Sequence, residues 1–438
     1  MFKKIHIENF KSLTNIDFDL CKGKKTKQHV FVYGENGSGK SNLVDVFTFL
    51  KKSTNSLTIM QELLNLFNKE TYTEAIEQIK EFYFTDFDKG NFKTINSAAN
   101  MILNFVFTIK DKDFEYEMVF NDKELIEESL SGVININKVL LYKIGKDDET
   151  INTNIHPELI SKQYRPDFNL ELSKYFGKHT LLAILNNAIK HLNEAFIEAN
   201  ISSLLLEPLI YINKINSPNS AIDNLIYPAD KCGLLIPLEQ GTIKKGDYET
   251  LRKTEDILQY FFSSISSDIK NARYKITSEA SNEARENYQL MFERQVGKEV
   301  VMIPYNLESN GVKKILSLLP RIINYLDGNV VVIDEMDSKI HDLLMVEIIE
   351  KLLGAKSKGQ LIVTTHNTLL LEVLNKDDTY FLSTEIDGTK KLLCATDYHF
   401  RIQNNHNVRK LYLAGSFQAI PYTGFVDFDL LLEKRDEK

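Results

Sequence analysis

A glycine-rich segment, GENGSGKS at residues 34–41, is the feature that most constrains the fold of this chain. Its spacing is GxxxxGKS, the pattern of a loop whose backbone amides wrap phosphate oxygens. A strand-like run, HVFVY, precedes it, and SNLVDVFTFL follows it with apolar residues at helical spacing. The segment therefore predicts a phosphate-binding loop between a strand and a helix N-terminus. A glycine-rich turn that binds nothing is the alternative interpretation.

The residues of this loop have separate expected roles. Glycine is needed where a side chain would hold the backbone away from the phosphates. Lys40 supplies positive charge toward the β and γ phosphates, and the Ser41 hydroxyl can ligate magnesium. We expect nucleotide contacts from Gly34, Asn36, Gly37, Ser38, Gly39, Lys40, Ser41 and Asn42.

A second segment, VVVIDEMD at residues 330–337, supports a nucleotide site. The β-branched run from Val330 to Ile333 ends in two carboxylates, as a buried parallel strand ending at a site does. We predict Asp334 as the magnesium partner and Glu335 as the carboxylate that polarises the attacking water. The alternative is an acidic loop that caps the next helix.

A third segment, QLIVTTHN at residues 360–367, has a strand from Leu361 to Thr364 that ends in Thr365-His366. An imidazole at this point can hydrogen-bond the γ-phosphate and sense its presence, so His366 is the candidate switch residue. The alternative is a polar histidine on a surface loop.

With these segments in place, the chain resembles the ABC-type ATPases of the SMC, RecF and OLD group. MFKKIHIENFKSLTNIDFDL looks like the first strand and NFKS turn of the group, GENGSGKSN carries its Asn-Gly, and DEMD continues into Ser338 to His341. The resemblance implies an α/β fold, an ABC-type P-loop ATPase head with a mixed sheet flanked by helices and an internal helical insertion. It also implies ATP and Mg²⁺ as ligands and ATP hydrolysis as the activity.

A further match is ESNG at residues 308–311, ahead of KKILSLLPRIINYL, which looks like the degenerate signature motif of the group. In that group the signature Ser and Gly of one protomer close on the γ-phosphate held by the other. The resemblance implies that Ser309 and Gly311 bind nucleotide across a homodimer or higher homo-oligomer of ATP-sandwiched heads. From the residues alone, Ser309 or Asn310 is a helix N-cap, and both interpretations can hold together.

The stretch NVRKLYLAGSFQAIP at residues 407–421 is similar to the tail of phage-defence ATPases of the AbiL, RloA and AriA kind. Their tail runs roughly Tyr-Leu-x-Gly-Arg-Tyr-Gly-Ala-Ile-Pro. Here Ser416 replaces the usual Arg and Gln418 the usual Gly. The resemblance implies a sensor or regulatory subunit of an abortive-infection system that holds or activates a protein effector, a toxin or a nuclease.

Charge limits the alternative functions. The chain has 53 basic and 61 acidic side chains, a formal charge of −8, so no general basic field exists to hold nucleic acid. Any such contact must be local. The strongest candidate patch, in a polar hairpin, comprises Lys22, Lys24, Lys25 and Lys27, and a solvated turn is the other interpretation. The alternative function is a DNA-binding clamp in DNA repair, like the RecF and SMC ATPases.

The cysteines and the hydropathy pattern indicate a cytoplasmic protein with no membrane partner. Cys21, Cys232 and Cys394 are far apart and show neither zinc-site nor disulfide spacing. The N-terminus alternates charged and apolar residues from Lys3 onward, and no stretch approaches 18 uncharged apolar residues.

The order of the patterns predicts four parts. Residues 1–150 form the N-terminal lobe of the head with the phosphate loop, 151–287 a mainly helical insertion, 288–398 the C-terminal lobe of the head, and 399–438 a tail. The 72 residues after His366 are too few for an added nuclease domain, although Asp427 and Asp429 form a DxD in a predicted terminal strand. Gln61 and Gln78 are equal candidates for a glutamine that lines the nucleotide.

Overall fold

The computed structural model describes residues 1–67, 92–134, 137–147, 150–218, 233–278, 284–398, 407–420 and 427–436. Gln78, Cys232 and Pro421 lie outside these ranges. The strands are β1 Phe2–Phe10, β2 Leu13–Asp19, β3 Cys21–Lys22, β4 Lys25–Thr26, β5 His29–Gly34, β6 Met101–Ile109, β7 Lys112–Phe120, β8 Leu125–Ile134, β9 Asn137–Asp147, β10 Thr150–Ile155, β11 Gln240–Lys244, β12 Ile269–Ser278, β13 Arg285–Val296, β14 Glu299–Pro304, β15 Val330–Ile333, β16 Gln360–Thr364, β17 Thr379–Thr384 and β18 Lys390–Cys394.

Helices follow the phosphate loop and occupy much of the segment 151–218. They are α1 Lys40–Ser53, α2 Ser56–Phe67, α3 Arg165–Tyr175, α4 Leu181–Ile189, α5 Glu194–Asn200, α6 Ser203–Asn213, α7 Glu249–Ile265, α8 Asn310–Leu326, α9 Asp342–Leu353, α10 Val408–Leu413 and α11 Phe428–Asp436. Among the described residues, none of these helices has the length and apolar character needed to cross a bilayer.

A five-stranded sheet forms the centre of the head, in the order β15-β16-β5-β17-β18. Strands β15, β16, β5 and β17 run parallel, and β18 pairs with β17 in the antiparallel direction after a turn at Asp387-Gly388. Strand β16 lies between β5 and β15, and the three strands are parallel. The loops that follow their C-terminal ends therefore lie at the same edge of the sheet. Ligands bind at this edge in open α/β sheets.

A second sheet has seven antiparallel strands in the order β10-β9-β8-β7-β6-β1-β2. Apolar and polar residues alternate through residues 100–145, which is the pattern of antiparallel strands, and strands β6 to β9 pair in this way. Strand β1 joins the sheet between β2 and β6. The chain therefore folds its N-terminus back onto strands that lie about a hundred residues further along.

The segment 151–287 holds helices α3 to α7 and also strands β11 and β12. Its two halves pack into different hydrophobic cores. In the first core Tyr211 stacks on Phe107, with ring centroids 5.0 Å apart, and in the second Phe262 contacts Phe292 at 5.0 Å. The apolar-rich segments YQLMFER and KEVVMIPYNL form β13 and β14, which join β11 and β12 in a separate four-stranded sheet. The division of the chain into four parts stays a prediction.

The tail packs directly behind the phosphate-loop strand. Phe417 is fully buried and stacks on Phe381 of β17 at 3.9 Å, while Tyr412 of α10 contacts Tyr33 of β5 at 5.8 Å. Gln418 has φ of +53°, a left-handed conformation that glycine adopts more readily than any other residue. This backbone geometry accounts for the glycine that the resembling tails carry at this point.

The terminal strand predicted around Asp427 and Asp429 is wrong, because these residues begin helix α11. The Asp427 carboxylate accepts hydrogen bonds from the amides of Asp429, at 3.0 Å, and Leu430, at 3.1 Å. An aspartate in this position starts a helix by satisfying its free amides. Both aspartates are exposed.

Candidate nucleotide-binding site

The predicted strand, loop and helix around residues 34–41 are present: β5 ends at Gly34 and α1 begins at Lys40. Gly37 has φ of +78° and Gly39 of +105°, where other residues are strained. A Cβ on Gly34 would lie 2.5 Å from the backbone oxygen of Leu382. The glycines are therefore required by the backbone path of the loop.

Lys40 reaches back over the loop. Its Nζ donates to the backbone oxygens of Gly34 and Glu35, both at 2.9 Å, and the residue is only 6% exposed. Burial lowers the pKa of Lys40, and the charges of Asp334 and Glu335 oppose that shift. The amine thus lies within electrostatic reach of the second predicted segment.

The shape of the loop fits a phosphate group. The Ser38 hydroxyl is fully buried and has no hydrogen-bond partner among the described residues. A Cβ on Gly37 would meet nothing within 4 Å, so the tip of the loop borders open space. Asn36 and Ser41 are both exposed, and the role of the Ser41 hydroxyl as a metal ligand stays a prediction.

The NFKS turn between β1 and β2 packs against the loop. Asn42 donates from Nδ2 to the Ser12 hydroxyl at 2.7 Å, and Lys11 pairs with Asp45 of α1 at 2.7 Å. A Cβ on Gly39 would lie 3.1 Å from the same Ser12 hydroxyl. The Asn42 amide is thus engaged with the turn, and its contact with nucleotide stays a prediction.

Asp334 and Glu335 follow β15 at the same sheet edge. The Asp334 carboxylate accepts a hydrogen bond from the hydroxyl of Thr364, the last residue of β16. The Glu335 amide donates to that hydroxyl at 2.9 Å, and Glu335 has φ of +45°. Glu335 is exposed, and its charge acts on Lys40 of the phosphate loop.

His366 lies next to these carboxylates. Its amide hydrogen-bonds both carboxylate oxygens of Asp337, at 3.3 and 3.4 Å. Partial desolvation lowers the pKa of His366, the Lys40 charge lowers it further, and the charges of Asp337, Glu335 and Asp334 oppose the shift. The imidazole is therefore neutral at pH 7, when one ring nitrogen donates and the other accepts. The structure brings Lys40 and His366 together with Asp334 and Glu335.

Ser309 is the N-cap of α8, as the sequence predicted, since its hydroxyl accepts from the Val312 amide at 3.3 Å. The loop before it is held by Glu308, which is buried and bidentate with Arg294 at 2.8 and 2.9 Å. A Cβ on Gly311 would lie 3.2 Å from the backbone oxygen of Lys339. The Ser309 side chain is exposed, and the role of Ser309 and Gly311 at the partner's nucleotide stays a prediction.

Two lysines near the site were not identified from the sequence. Lys314 is half-buried on α8, where burial lowers its pKa and the charges of Glu335 and Asp337 raise it. Lys390, at the start of β18, donates from Nζ to the backbone oxygen of Gly37 at 3.2 Å and to the Thr384 hydroxyl at 2.8 Å. Each lysine is next to another lysine in the sequence. The sequence alone does not show which of the two neighbouring side chains faces the site.

The contact of Lys390 with the loop leads to a prediction. We expect Lys390→Met to weaken nucleotide binding about threefold to tenfold, because a hydrogen bond from a charged group that supports the loop is lost. Titration of a fluorescent ATP analogue measures the affinity. Lys391→Met is the matched control, since the Lys391 side chain is exposed on the next residue. An equal loss in both variants, or no loss in either, contradicts a specific role for Lys390.

Only part of the basic patch predicted in the hairpin β3–β4 lies on the surface, because one of its four lysines is buried, which corrects that interpretation. Lys27 is buried, and its Nζ donates to the Tyr380 hydroxyl at 2.6 Å. Lys22 pairs with Asp377. Lys22, Lys24 and Lys25 are exposed, but the charge of Lys22 is partly offset by Asp377, so the hairpin offers less charge to nucleic acid than four free lysines would.

The phosphate loop after β5, the acidic pair after β15 and the histidine after the intervening β16 define the class of this molecule. It is an ABC-type P-loop ATPase head, as the sequence predicted. A family model described as "AAA domain, putative AbiEii toxin, Type IV TA system" matches residues 30–372. The chain belongs to this family, and nucleotide binding is implied by that membership.

Relatives and solved structures give further comparisons. The chain is 21% identical over 425 residues, 91% of its length and 76% of the relative, to "Retron Vc95 probable ATPase" of Vibrio cholerae serotype O1 biovar El Tor. It is similar to an Smc head bound to the C-terminal winged-helix domain of ScpA, with TM-score 0.40, 14% identity, and coverage of 90% of this chain and 96% of that one. The SMC head domain from Thermotoga maritima gives TM-score 0.39, 14% identity, and coverage of 90% and 98%. These scores describe a distant similarity.

Proposed function

We propose that this chain binds and hydrolyses ATP as one of a pair of heads and uses the nucleotide state to hold or activate a protein effector in phage defence. The observation that carries the proposal is the meeting of Lys40, the Asp334–Glu335 pair and His366 at one sheet edge. The family description, which mentions a toxin, and the relative named as a retron ATPase support the defence setting.

Each side chain of the site has a separate role in the proposed reaction. Lys40 exchanges its two backbone carbonyl partners for the β and γ phosphates, which are stronger acceptors. Glu335 accepts a hydrogen bond from the attacking water and orients it. Neutral His366 donates a hydrogen bond toward the γ-phosphate.

The oxygen groups of Ser41 and Asp334 suit a hard cation. Mg²⁺ prefers carboxylate, hydroxyl and phosphate oxygens in an octahedral arrangement. Bound there, it would neutralise charge that develops on the phosphates during transfer. What supports this assignment is that Ser41 is exposed in the first turn of helix α1, which follows β5, and that Asp334 follows β15 of the same sheet.

The pairing of heads uses the exposed N-terminus of α8. Free backbone amides at a helix N-terminus attract an anion, and Ser309 and Asn310 lie there on the surface. We propose that this end contacts the γ-phosphate held by the second copy. In each chain the ion pair between Glu308 and Arg294 holds in place the loop that precedes α8.

Light scattering after size-exclusion chromatography tests the pairing. With ATP and Mg²⁺, the hydrolysis-blocked variant Glu335→Gln is expected to elute with about twice its nucleotide-free mass, because two chains enclose the nucleotide. Lys40→Ala is expected to stay at the lower mass and to lose nucleotide binding. Ser309→Arg is expected to bind nucleotide and yet fail to pair. A mass that ATP leaves unchanged in Glu335→Gln contradicts the proposal.

The effector is tested separately. Tagged Glu335→Gln is purified with ATP from its native host, and the eluate is examined by mass spectrometry and nucleic-acid extraction. A stoichiometric protein encoded next to this chain supports the effector-holding function. Recovery of DNA without such a protein supports the nucleic-acid clamp instead.

A further inference from the structure

We propose that Thr364 positions both carboxylates of the Asp334–Glu335 pair and thereby sets the Mg²⁺ dependence of this site. The inference rests on the proposed ATPase function. Thr364 is the last residue of β16 and is fully buried. It contacts Asp334 through its side chain and Glu335 through the backbone amide of that residue, so it is a positioning residue and not a catalytic one.

The Thr364 hydroxyl donates one hydrogen bond and accepts another. A threonine hydroxyl has one hydrogen to donate and two lone pairs to accept with. The hydrogen goes to Oδ1 of Asp334, and the oxygen accepts the Glu335 amide at 2.9 Å. The first bond orients the carboxylate that is proposed to meet the metal. The second bond connects the Glu335 amide to the same hydroxyl oxygen. The Asp334 carboxylate and the Glu335 backbone are therefore held in a fixed position relative to each other.

The second bond stabilises an unusual backbone conformation. Glu335 has φ of +45°, which a residue with a Cβ rarely adopts. The Glu335 amide bonds to the Thr364 hydroxyl, and the Met336 amide bonds to the Thr364 backbone oxygen at 3.2 Å. Because φ sets the direction in which a side chain leaves the backbone, the hydroxyl helps to fix the direction of the Glu335 side chain. Strained conformations of this kind persist only where neighbours hold them.

The residues that follow Thr364 hold the rest of the site. The Thr365 amide donates to Val32 of β5 at 3.2 Å, and the His366 amide bonds to the Asp337 carboxylate. A segment of three residues thus contacts the phosphate-loop strand, the two acids and the loop after them. Thr364 is the member of this segment that acts through its side chain on both acids.

Two substitutions separate the hydroxyl from the volume of the side chain. Thr364→Val keeps the size but removes the hydroxyl, which leaves the Glu335 amide and Asp334 Oδ1 without this partner. Thr364→Ser keeps the hydroxyl and is the matched control. Removal of a group that orients a metal ligand typically lowers metal affinity or activity by about 10–100-fold.

The test is Mg²⁺-dependent binding of a fluorescent ATP analogue, together with ATP turnover, in the full chain. We expect Thr364→Val to need about 10–100-fold more Mg²⁺ for half-maximal enhancement of binding and to lose turnover by a similar factor. Nucleotide affinity in EDTA is expected to change by less than about threefold, because Lys40 and the loop are unaltered. Thr364→Ser is expected to restore the wild-type Mg²⁺ dependence.

A wild-type Mg²⁺ dependence in Thr364→Val, or a Ser variant as defective as the Val variant, would overturn the inference. Should Thr364→Val fail to fold, Thr364→Ala removes the same hydroxyl without added volume, and the same expectation applies to it. The proposed function fails separately if the wild-type chain neither hydrolyses ATP nor binds it more tightly with Mg²⁺, and this inference then falls with it.

Discussion

Glu335→Gln is expected to slow ATP turnover by a factor of about 10²–10⁴, the usual contribution of a positioned general base. Glutamine keeps the length and shape of the side chain but removes the negative charge that draws a proton from water. The hydrogen bond from residue 335 to Thr364 uses the backbone amide, so it survives the substitution. Nucleotide affinity is therefore expected to stay within about threefold of the wild-type value.

Single-turnover hydrolysis, measured beside nucleotide titration, separates the chemical step from binding. Glu350→Gln is the control, since Glu350 is an exposed acid on helix α9, which follows the site. It is expected to leave turnover unchanged. If Glu335→Gln hydrolyses ATP at the parental rate, another group activates the water. A loss of binding in that variant would instead assign Glu335 to holding the nucleotide or its metal.

The elements around the site were predictable because their signals are local. A phosphate loop needs glycine at positions set by its backbone, and Gly34 and Gly39 meet that need within eight residues of sequence. Strands β15 and β16 are short apolar runs that end in polar residues, which is the pattern of buried parallel strands. The sequence could thus supply Lys40, Asp334 and His366 as candidates.

The packing between elements was beyond the reach of the sequence. Local patterns do not show that β16 lies between β5 and β15, so the bond from Thr364 to Asp334, thirty residues apart, had no signal. The sequence also did not show whether a given side chain points to solvent or into the protein. Lys27 follows a polar hairpin and looks solvated, yet the fold turns it inward to Tyr380. Short apolar runs fit a helix or a strand, which is why the terminal strand around Asp429 was wrong.

The buried carboxylate of Glu128 is expected to make the protein less stable as the pH rises from about 4.5 to about 7. Glu128 is on β8 and is fully buried between the antiparallel sheet and helix α4. Its Oε1 accepts from the hydroxyls of Tyr116, at 2.9 Å, and Tyr142, at 2.8 Å, and its Oε2 accepts from the Leu181 amide at 2.5 Å. The group therefore joins the sheet to the N-terminus of α4.

Burial raises the pKa of Glu128 from its ordinary value of 4.5 to about 7, although the hydrogen bonds from Leu181, Tyr142 and Tyr116 oppose the shift. Below pH 4.5 the carboxyl is protonated in the folded and the unfolded chain, so its contribution to stability is fully present. Between 4.5 and 7 the unfolded chain releases the proton first, which favours unfolding. At about 1.4 kcal/mol for each pKa unit, the free energy of unfolding falls by about 3 kcal/mol across this range and is constant above it.

Glu128→Gln and Glu128→Ala test the origin of this slope. The glutamine side chain can turn its NH₂ group toward the two tyrosine hydroxyls, which accept as well as donate, and keep its oxygen on the Leu181 amide. It is uncharged at every pH, so the Gln variant is expected to lose the component of the slope that Glu128 causes. Alanine leaves three buried donors unpaired, each at a cost of about 1–3 kcal/mol, and is expected to destabilise the chain at every pH.

Urea unfolding at pH 5 and pH 8 measures the effect, and tyrosine fluorescence reports it because the chain has 19 tyrosines and no tryptophan. The comparison between wild type and Glu128→Gln cancels the titration of the other acids, so only the difference between their two slopes belongs to Glu128. Parallel pH curves for these two proteins would mean that Glu128 ionises in the folded chain as easily as in water. Its bonds to Tyr116, Tyr142 and Leu181 would then fully offset the desolvation of the carboxylate.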